Sequence, residues 1–192
     1  MRRVGMLLLG AILAATAGAQ SNKPAPQPIG LAFTWNAVHA PATFGGDFWM
    51  QGADFQLHVP LWRGLGEVTD VGGMHTANIN SSGVGLDVVT ITFGPRYTWS
   101  RGKVSLYGQG LAGLAFGFNS AFPAPAASNA SANGLAVLAG GGLDVAVRRH
   151  FAVRLLEADW LRTQLPNGVT NVENDLRIGA GVTLHFGRQA PR

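Results

Sequence analysis

Residues 177–186 alternate without interruption. Ile178, Ala180, Val182, Leu184 and Phe186 share one parity, and Arg177, Gly179, Gly181, Thr183 and His185 share the other. In an extended strand a period of two sends these sets to opposite faces. One face is wholly apolar; the other is small or polar. Charged residues make up 12% of the chain, about half the share usual in soluble domains, so the surface is unusually apolar. After the first twenty residues no apolar run is long enough for a membrane-spanning helix, which needs about 20 residues. An apolar surface built by alternation predicts strands that face lipid on one side and a lumen on the other. In lipid such strands must close on themselves.

The pattern repeats along the chain. Val89, Ile91, Phe93, Pro95, Tyr97 and Trp99 face one way, with Thr90, Thr92, Gly94, Arg96 and Thr98 opposite. Pro95 lacks a donor, so a bulge is expected there. Val104, Leu106, Ala112, Leu114, Phe116 and Phe118 oppose Ser105, Tyr107, Gln109, Gly113 and Gly117. A sixth strand over about 134–147 points Leu135, Val137, Leu143 and Val145 outward and Asp144 inward. The seventh, about 151–163, changes parity at Leu155-Leu156, which predicts a bulge. Leu31, Phe33, Trp35 and Ala37 mark the first strand; Phe55, Leu57, Val59 and Leu61, against Asp54, Gln56 and His58, mark the second. Over 66–78 the parity of Val68, Asp70, Val71 and Met74 stays open. The expected fold is all-β: an eight-stranded antiparallel up-and-down transmembrane β-barrel over residues 29–186.

Ahead of it lies an export signal. Met1-Arg2-Arg3 is basic, Val4 to Ala15 is apolar, and Ala17-Gly18-Ala19 is a small-x-small cleavage site. The expectation is a cleaved signal peptide over 1–19, a Pro-rich leader over 20–28 and a tail over 187–192. Losing Arg2 and Arg3 would bring the formal charge from +4 to +2.

Connection lengths alternate. Arg63-Gly64, Ser100-Arg101-Gly102 and Arg148-Arg149-His150 are short, whereas 40–47, 78–84, 119–133 and 164–174 are longer or more polar. Short periplasmic turns and long external loops are the outer-membrane pattern. The Ala/Ser/Pro/Asn-rich stretch 119–133 is expected to be a mobile loop. With this topology Trp62, Tyr97, Trp99, Phe151 and Phe186 fall at the periplasmic rim, and Phe48, Trp49, Phe116, Phe118 and Trp160 near the external rim. Aromatic rings favour the membrane–water interface, so these ten are expected to form two girdles.

Most chemistry classes find no support. The chain has no cysteine, which removes disulfides, thiolate catalysis and Cys-based zinc sites. Arg148-Arg149 is the densest basic cluster, far short of a nucleic-acid footprint. The histidines (His39, His58, His75, His150, His185) show no metal-ligand spacing, so no metal and no cofactor is expected. Ser105, His75 and Asp87 could supply a hydrolytic set, but nothing in their spacing joins them. Gly140-Gly141-Gly142 lies mid-strand with no following helix, so it reads as relief of crowding rather than a phosphate cradle. Asn80-Ser81-Ser82 and Asn129-Ala130-Ser131 read as plain polar loops. The sharpest constellation is the set of inward charges: Arg96, Asp144, Arg154, Glu157, Asp159 and Arg177. An eight-stranded barrel is just wide enough for side chains to fill, and buried charges must be paired. The set is therefore expected to form an ionic network that plugs the lumen, with a conducting path as the alternative.

These stretches carry a resemblance. Val71-Gly72-Gly73-Met74-His75, Phe93-Gly94-Pro95-Arg96-Tyr97, Gly140-Gly141-Gly142-Leu143-Asp144, Val153 to Trp160 and Gly181-Val182-Thr183-Leu184-His185-Phe186 resemble the small outer-membrane β-barrel domain family, which includes the outer-membrane protein A barrel and the opacity-type surface proteins. The resemblance covers roughly 29–186. It implies outer-membrane localisation, contact with outer-membrane lipid and lipopolysaccharide, and recognition by the barrel-assembly machinery. Gly181, Leu184 and Phe186 match the family's C-terminal assembly signal. Cell-wall anchoring through a peptidoglycan-binding domain, as in the larger relatives, is not expected.

The leading expectation is a structural or surface-interaction barrel whose external loops meet an unspecified ligand, and not an enzyme. The alternatives are a minor pore, a lipid-modifying or proteolytic barrel, and a soluble periplasmic ligand-binding barrel with its faces inverted.

Overall fold

The computed structural model describes residues 28–42, 45–80, 82–124 and 128–187. The signal segment, most of the leader and residues 188–192 lie outside the described residues. Among those described there is no helix, and the strands run β1 (Ile29–Pro41), β2 (Asp47–Trp62), β3 (Leu65–Thr76), β4 (Leu86–Arg101), β5 (Val104–Pro123), β6 (Ser128–Arg148), β7 (Phe151–Thr163) and β8 (Glu173–Phe186). Each pairs antiparallel with the next, and β1 pairs with β8 to close the barrel. Ile29 meets Phe186 and Trp35 meets Ala180 along that seam. The alternation read in 177–186 thus sits on the closing strand.

Inside and outside follow the pleat. Phe55, Phe93, Leu135 and Leu155 expose more than half of their surface, whereas Thr34, Asp54, Asp70, Thr90 and Thr92 are fully buried. That is inverted relative to a water-soluble barrel, because an outer face of large apolar side chains needs an apolar solvent.

The open parity of β3 resolves as Val68, Asp70 and Met74 inward and Val71 outward. The register of β7 slips as read: Leu143 pairs with Leu156 and Asp144 with Arg154, so Leu155 is the extra residue. No bulge forms at Pro95. It keeps its rung to Glu67 on β3, and only the ladder to β5 is interrupted, between Phe93–Ala112 and Arg96–Gln109, with the register unchanged. The missing donor therefore costs rungs on one side instead of an inserted residue. The stretch 119–133 is a second correction. Most of it is strand: β5 runs on to Pro123 and β6 starts at Ser128, with a register shift between Phe118 and Phe122.

At one end the turns are two residues long. Arg63 and Gly64 adopt φ of 45° and 87°, the left-handed pair that matches the twist of a tight hairpin.

Candidate functional site

The lumen holds two layers of different chemistry. Nearer the short-turn end, every strand sends a polar side chain into one network: Thr34, Gln56, Asp70, Arg96, Gln109, Asp144, Arg154 and Arg177 come from β1 to β8 in turn. Arg154 donates from Nε to Asp144 at 2.9 Å, and from Nη1 to Glu157 at 2.6 Å and Gln56 Oε1 at 2.7 Å. Arg177 donates from Nη2 to Asp159 at 2.8 Å and Asp70 at 3.1 Å, and its Nη1 lies 3.7 Å from Asp54. Gln56 uses its amide nitrogen on Glu157 at 2.6 Å and Asp70 at 3.0 Å. A planar guanidinium presents five donors in a fixed fork, so two arginines can each tie several strands together.

The geometry brings all six charges expected there into the network, five of them through ion pairs. Arg96 differs: it contacts no carboxylate at ion-pair distance. Its Nη2 donates to Gln56 Oε1 and Gln109 Oε1, both at 2.5 Å, and its guanidinium lies 4.1 Å from the Tyr107 ring centroid. Arg154 approaches the same ring at 4.8 Å. Sequence reasoning missed Asp54 and Asp70 as members. The alternation of β2 puts Asp54 on the inward face, which is the signal available for it; Asp70 lies in the segment whose parity the sequence leaves open. With them, five carboxyls (Asp54, Asp70, Asp144, Glu157, Asp159) share this layer with three guanidinium groups. Asp54, Asp70 and Glu157 bring carboxylate oxygens within 4.8 Å of one another, the one grouping among the described residues that could hold a metal. Arg177 reaches all three and already supplies the positive charge at that point.

Gly140 and Gly142 make room for this layer. A Cβ on Gly140 would strike the Asp159 carboxylate and the Ala158 carbonyl, and one on Gly142 would lie 2.5 Å from the Tyr107 hydroxyl. The relief-of-crowding reading of the triple glycine fits this packing. The hydrolytic parts are not assembled. His75 lies 2.5 Å from Asp87 across the β3–β4 rungs, but Ser105 is at the opposite end, bonded to Ser100 at 2.8 Å.

Beyond the polar layer the lumen turns apolar. Val38, Met50, Met74, Val88, Leu111, Leu138 and Leu161 form one buried cluster. Two cavities flank these layers. One, of about 780 Å³, opens at the short-turn end beside His58, Tyr107, Asp144, Arg148 and His185. The other, of about 550 Å³, opens at the long-loop end between Phe48, Leu86, Phe122, Leu165 and Asp175.

Nine of the ten girdle residues point outward on their strands. Phe48 does not. It packs against the buried apolar cluster inside, because it is adjacent to the outward Trp49 and neighbours on a strand face opposite sides. Trp35, unassigned to either rim, is the most exposed of the mid-strand aromatics at 59%. Leu184 and Phe186 of the closing stretch face outward, while Gly181 packs against the backbone of Phe33 and Thr34.

The sequence matches no family model and is similar to no curated protein. Solved structures do share the architecture. Ail, the attachment invasion locus protein of Yersinia pestis, superposes with a TM-score of 0.55 at 16% identity, over 83% of this chain and 99% of Ail. Neisserial surface protein A superposes at 0.59 and 16% identity, over 82% of this chain and 97% of that one. This is the small outer-membrane barrel fold. In an outer-membrane barrel the short turns face the periplasm and the longer loops the exterior. Arg63, Arg101, Lys103, Arg148 and Arg149 then sit at or beside the periplasmic turns, and Asp47, Asp87, Glu173 and Asp175 at the outer end, where Arg162 is the one described cation.

Proposed function

We propose that this outer-membrane barrel is a surface-interaction protein with a closed lumen, and that its external end is the part that meets a partner. One observation carries the reading: a polar network with a member from every strand, backed by an apolar cluster, occupies the lumen between the two cavities. Side chains on all eight strands that bond each other across the axis act as a plug, because opening a path would strand buried charges at a cost of several kcal/mol. Planar-bilayer recording of the refolded chain tests this. The expected result is no unit conductance; stable steps at the native sequence would overturn it.

The pore alternative has one observation in its favour. The periplasmic cavity of about 780 Å³ already opens the lumen from one side, so loss of the network would shorten the closed section. Hydrolysis is not supported, since Ser105 and the His75–Asp87 pair lie at opposite ends.

Ail has been crystallised with the heparin analogue sucrose octasulfate. That ligand chemistry does not transfer here. Asp47, Asp87, Glu173 and Asp175 against Arg162 make the described outer end acidic, and like charge repels a polyanion. The reading further assigns Gly181, Leu184 and Phe186 to recognition by the barrel-assembly machinery, with outer-membrane lipid and lipopolysaccharide around the belt. Truncation before Leu184 should leave the chain unfolded by the boiled-versus-unboiled gel shift.

A further inference from the structure

The external cavity is walled by Phe48, Met50, Leu86, Val88, Phe122 and Leu165. Against that apolar wall stands Asp175, the third residue of β8, facing inward. It is only 5% exposed. Its Oδ1 is enclosed with no hydrogen-bond partner. Among the described residues no Lys, Arg or His lies at ion-pair distance from it, and the cavity lining holds Glu173 and Asp175 but no basic side chain. The next carboxylate inward on the barrel wall, Asp159, is held by Arg177 at 2.8 Å; Asp175 has no such arginine.

A buried carboxylate without a counter-charge is costly. An apolar layer needs no acid at that place: Leu161, its cross-strand neighbour, shows what packing alone would use. Two things satisfy such a group: a proton taken up by the carboxyl, or a positive charge from outside. The cavity volume of about 550 Å³ is in the range of small-molecule pockets. The acidic residues around the mouth favour entry of cations over anions.

We propose that the external mouth binds an amphiphilic organic cation: an apolar body seated on the Phe48–Phe122–Leu165 wall, with a single protonated amine directed at Asp175. The site extends the surface-interaction reading from the loops to the cup they enclose, and it does not depend on whether the lumen conducts.

The test uses the full chain folded in phosphatidylcholine nanodiscs, with empty nanodiscs as the blank. Three water-soluble probes of equal size, 4-phenylbutylamine, 4-phenylbutanol and 4-phenylbutyrate, are titrated by calorimetry. The amine should bind at least tenfold tighter than the alcohol, and the carboxylate more weakly than either. Asp175→Asn should erase the preference of amine over alcohol. If that variant fails the gel-shift test for folding, Ser120→Trp at the mouth of the cup reads the same site and should weaken the amine at least fivefold. Equal binding of amine and alcohol would mean a protonated Asp175 in an apolar cup and would overturn the proposal. So would preference for the carboxylate, absence of binding by all three, or an amine preference that survives Asp175→Asn. A conducting barrel that selects the amine would sink the closed-lumen reading and leave this one standing; a silent barrel that binds no probe would do the reverse.

Discussion

On the periplasmic side the barrel interior is built from Arg96, Arg154 and Arg177 with their amide and carboxyl partners. On the external side it is built from Val38, Met50, Leu111, Leu138 and Leu161. Both layers fill the same narrow lumen, and both are closed to solvent. They differ in how a side chain depends on its neighbours. Each arginine is placed by named acceptors at fixed distances and angles, so losing one group leaves the others uncompensated. Each apolar residue is placed by volume, which neighbours can partly take up. The first layer ties together strands that are not neighbours in the sheet, such as β7 to β2 and β8 to β3; the second mainly excludes water.

That contrast makes ordered predictions, each read as the free energy of urea unfolding in lipid vesicles. Arg177→Met should be the most damaging, on the order of 3–5 kcal/mol, since it leaves Asp54, Asp70, Glu157 and Asp159 without their shared donor. An unchanged midpoint would remove the network from any structural role. Leu138→Ala, at a fully buried position in the apolar layer, should cost roughly 2–5 kcal/mol and less than Arg177→Met; the reverse order would erase the difference between layers. Arg96→Met should cost less again, about 1.5–3 kcal/mol, because its partners are two amide carbonyls and a ring and no carboxylate is abandoned. A loss equal to that of Arg177→Met would show that Arg96 is ion-paired after all. Tyr107→Phe removes a buried hydroxyl that has no partner, so its effect should stay within about 0.5 kcal/mol. A larger loss would reveal a bond to that oxygen and draw the periplasmic cavity into the network.

The strands were legible wherever both faces had a fixed environment. Lipid on one side and a lumen on the other impose strict alternation, and 177–186, 89–99 and the Leu155-Leu156 slip could be read directly. Legibility failed where one environment was missing. Gly72-Gly73 contribute no side chain to either face, so the parity of β3 was open and Asp70 was lost from the network. The upper rungs of β5 and β6, such as Phe122–Asn129 and Pro123–Ser128, come after the last stretch of regular alternation. Small polar residues serve on both faces there, and the composition looks like a loop. Phe48 was misplaced for a simpler reason: rim height was read from sequence position, while the pleat lets only one of two consecutive aromatics face lipid. The partners of Arg96 were not legible at all, because parity says which residues face inward but not which of several inward groups a long side chain will reach.

The strands are unequal in length: β5 and β6 run 20 and 21 residues, whereas β3 runs 12. At about 3.3 Å per residue, the excess is on the order of 25 Å of strand. Backbone bonds hold this extension together, and apart from Phe122, which turns in to the buried cluster, its side chains carry little packing duty. Anything approaching the cell from that side meets the rail before it meets the barrel wall. Its outward residues can be exchanged while the register beneath stays put, which leaves the chemistry of that rail separate from the chemistry that closes the barrel.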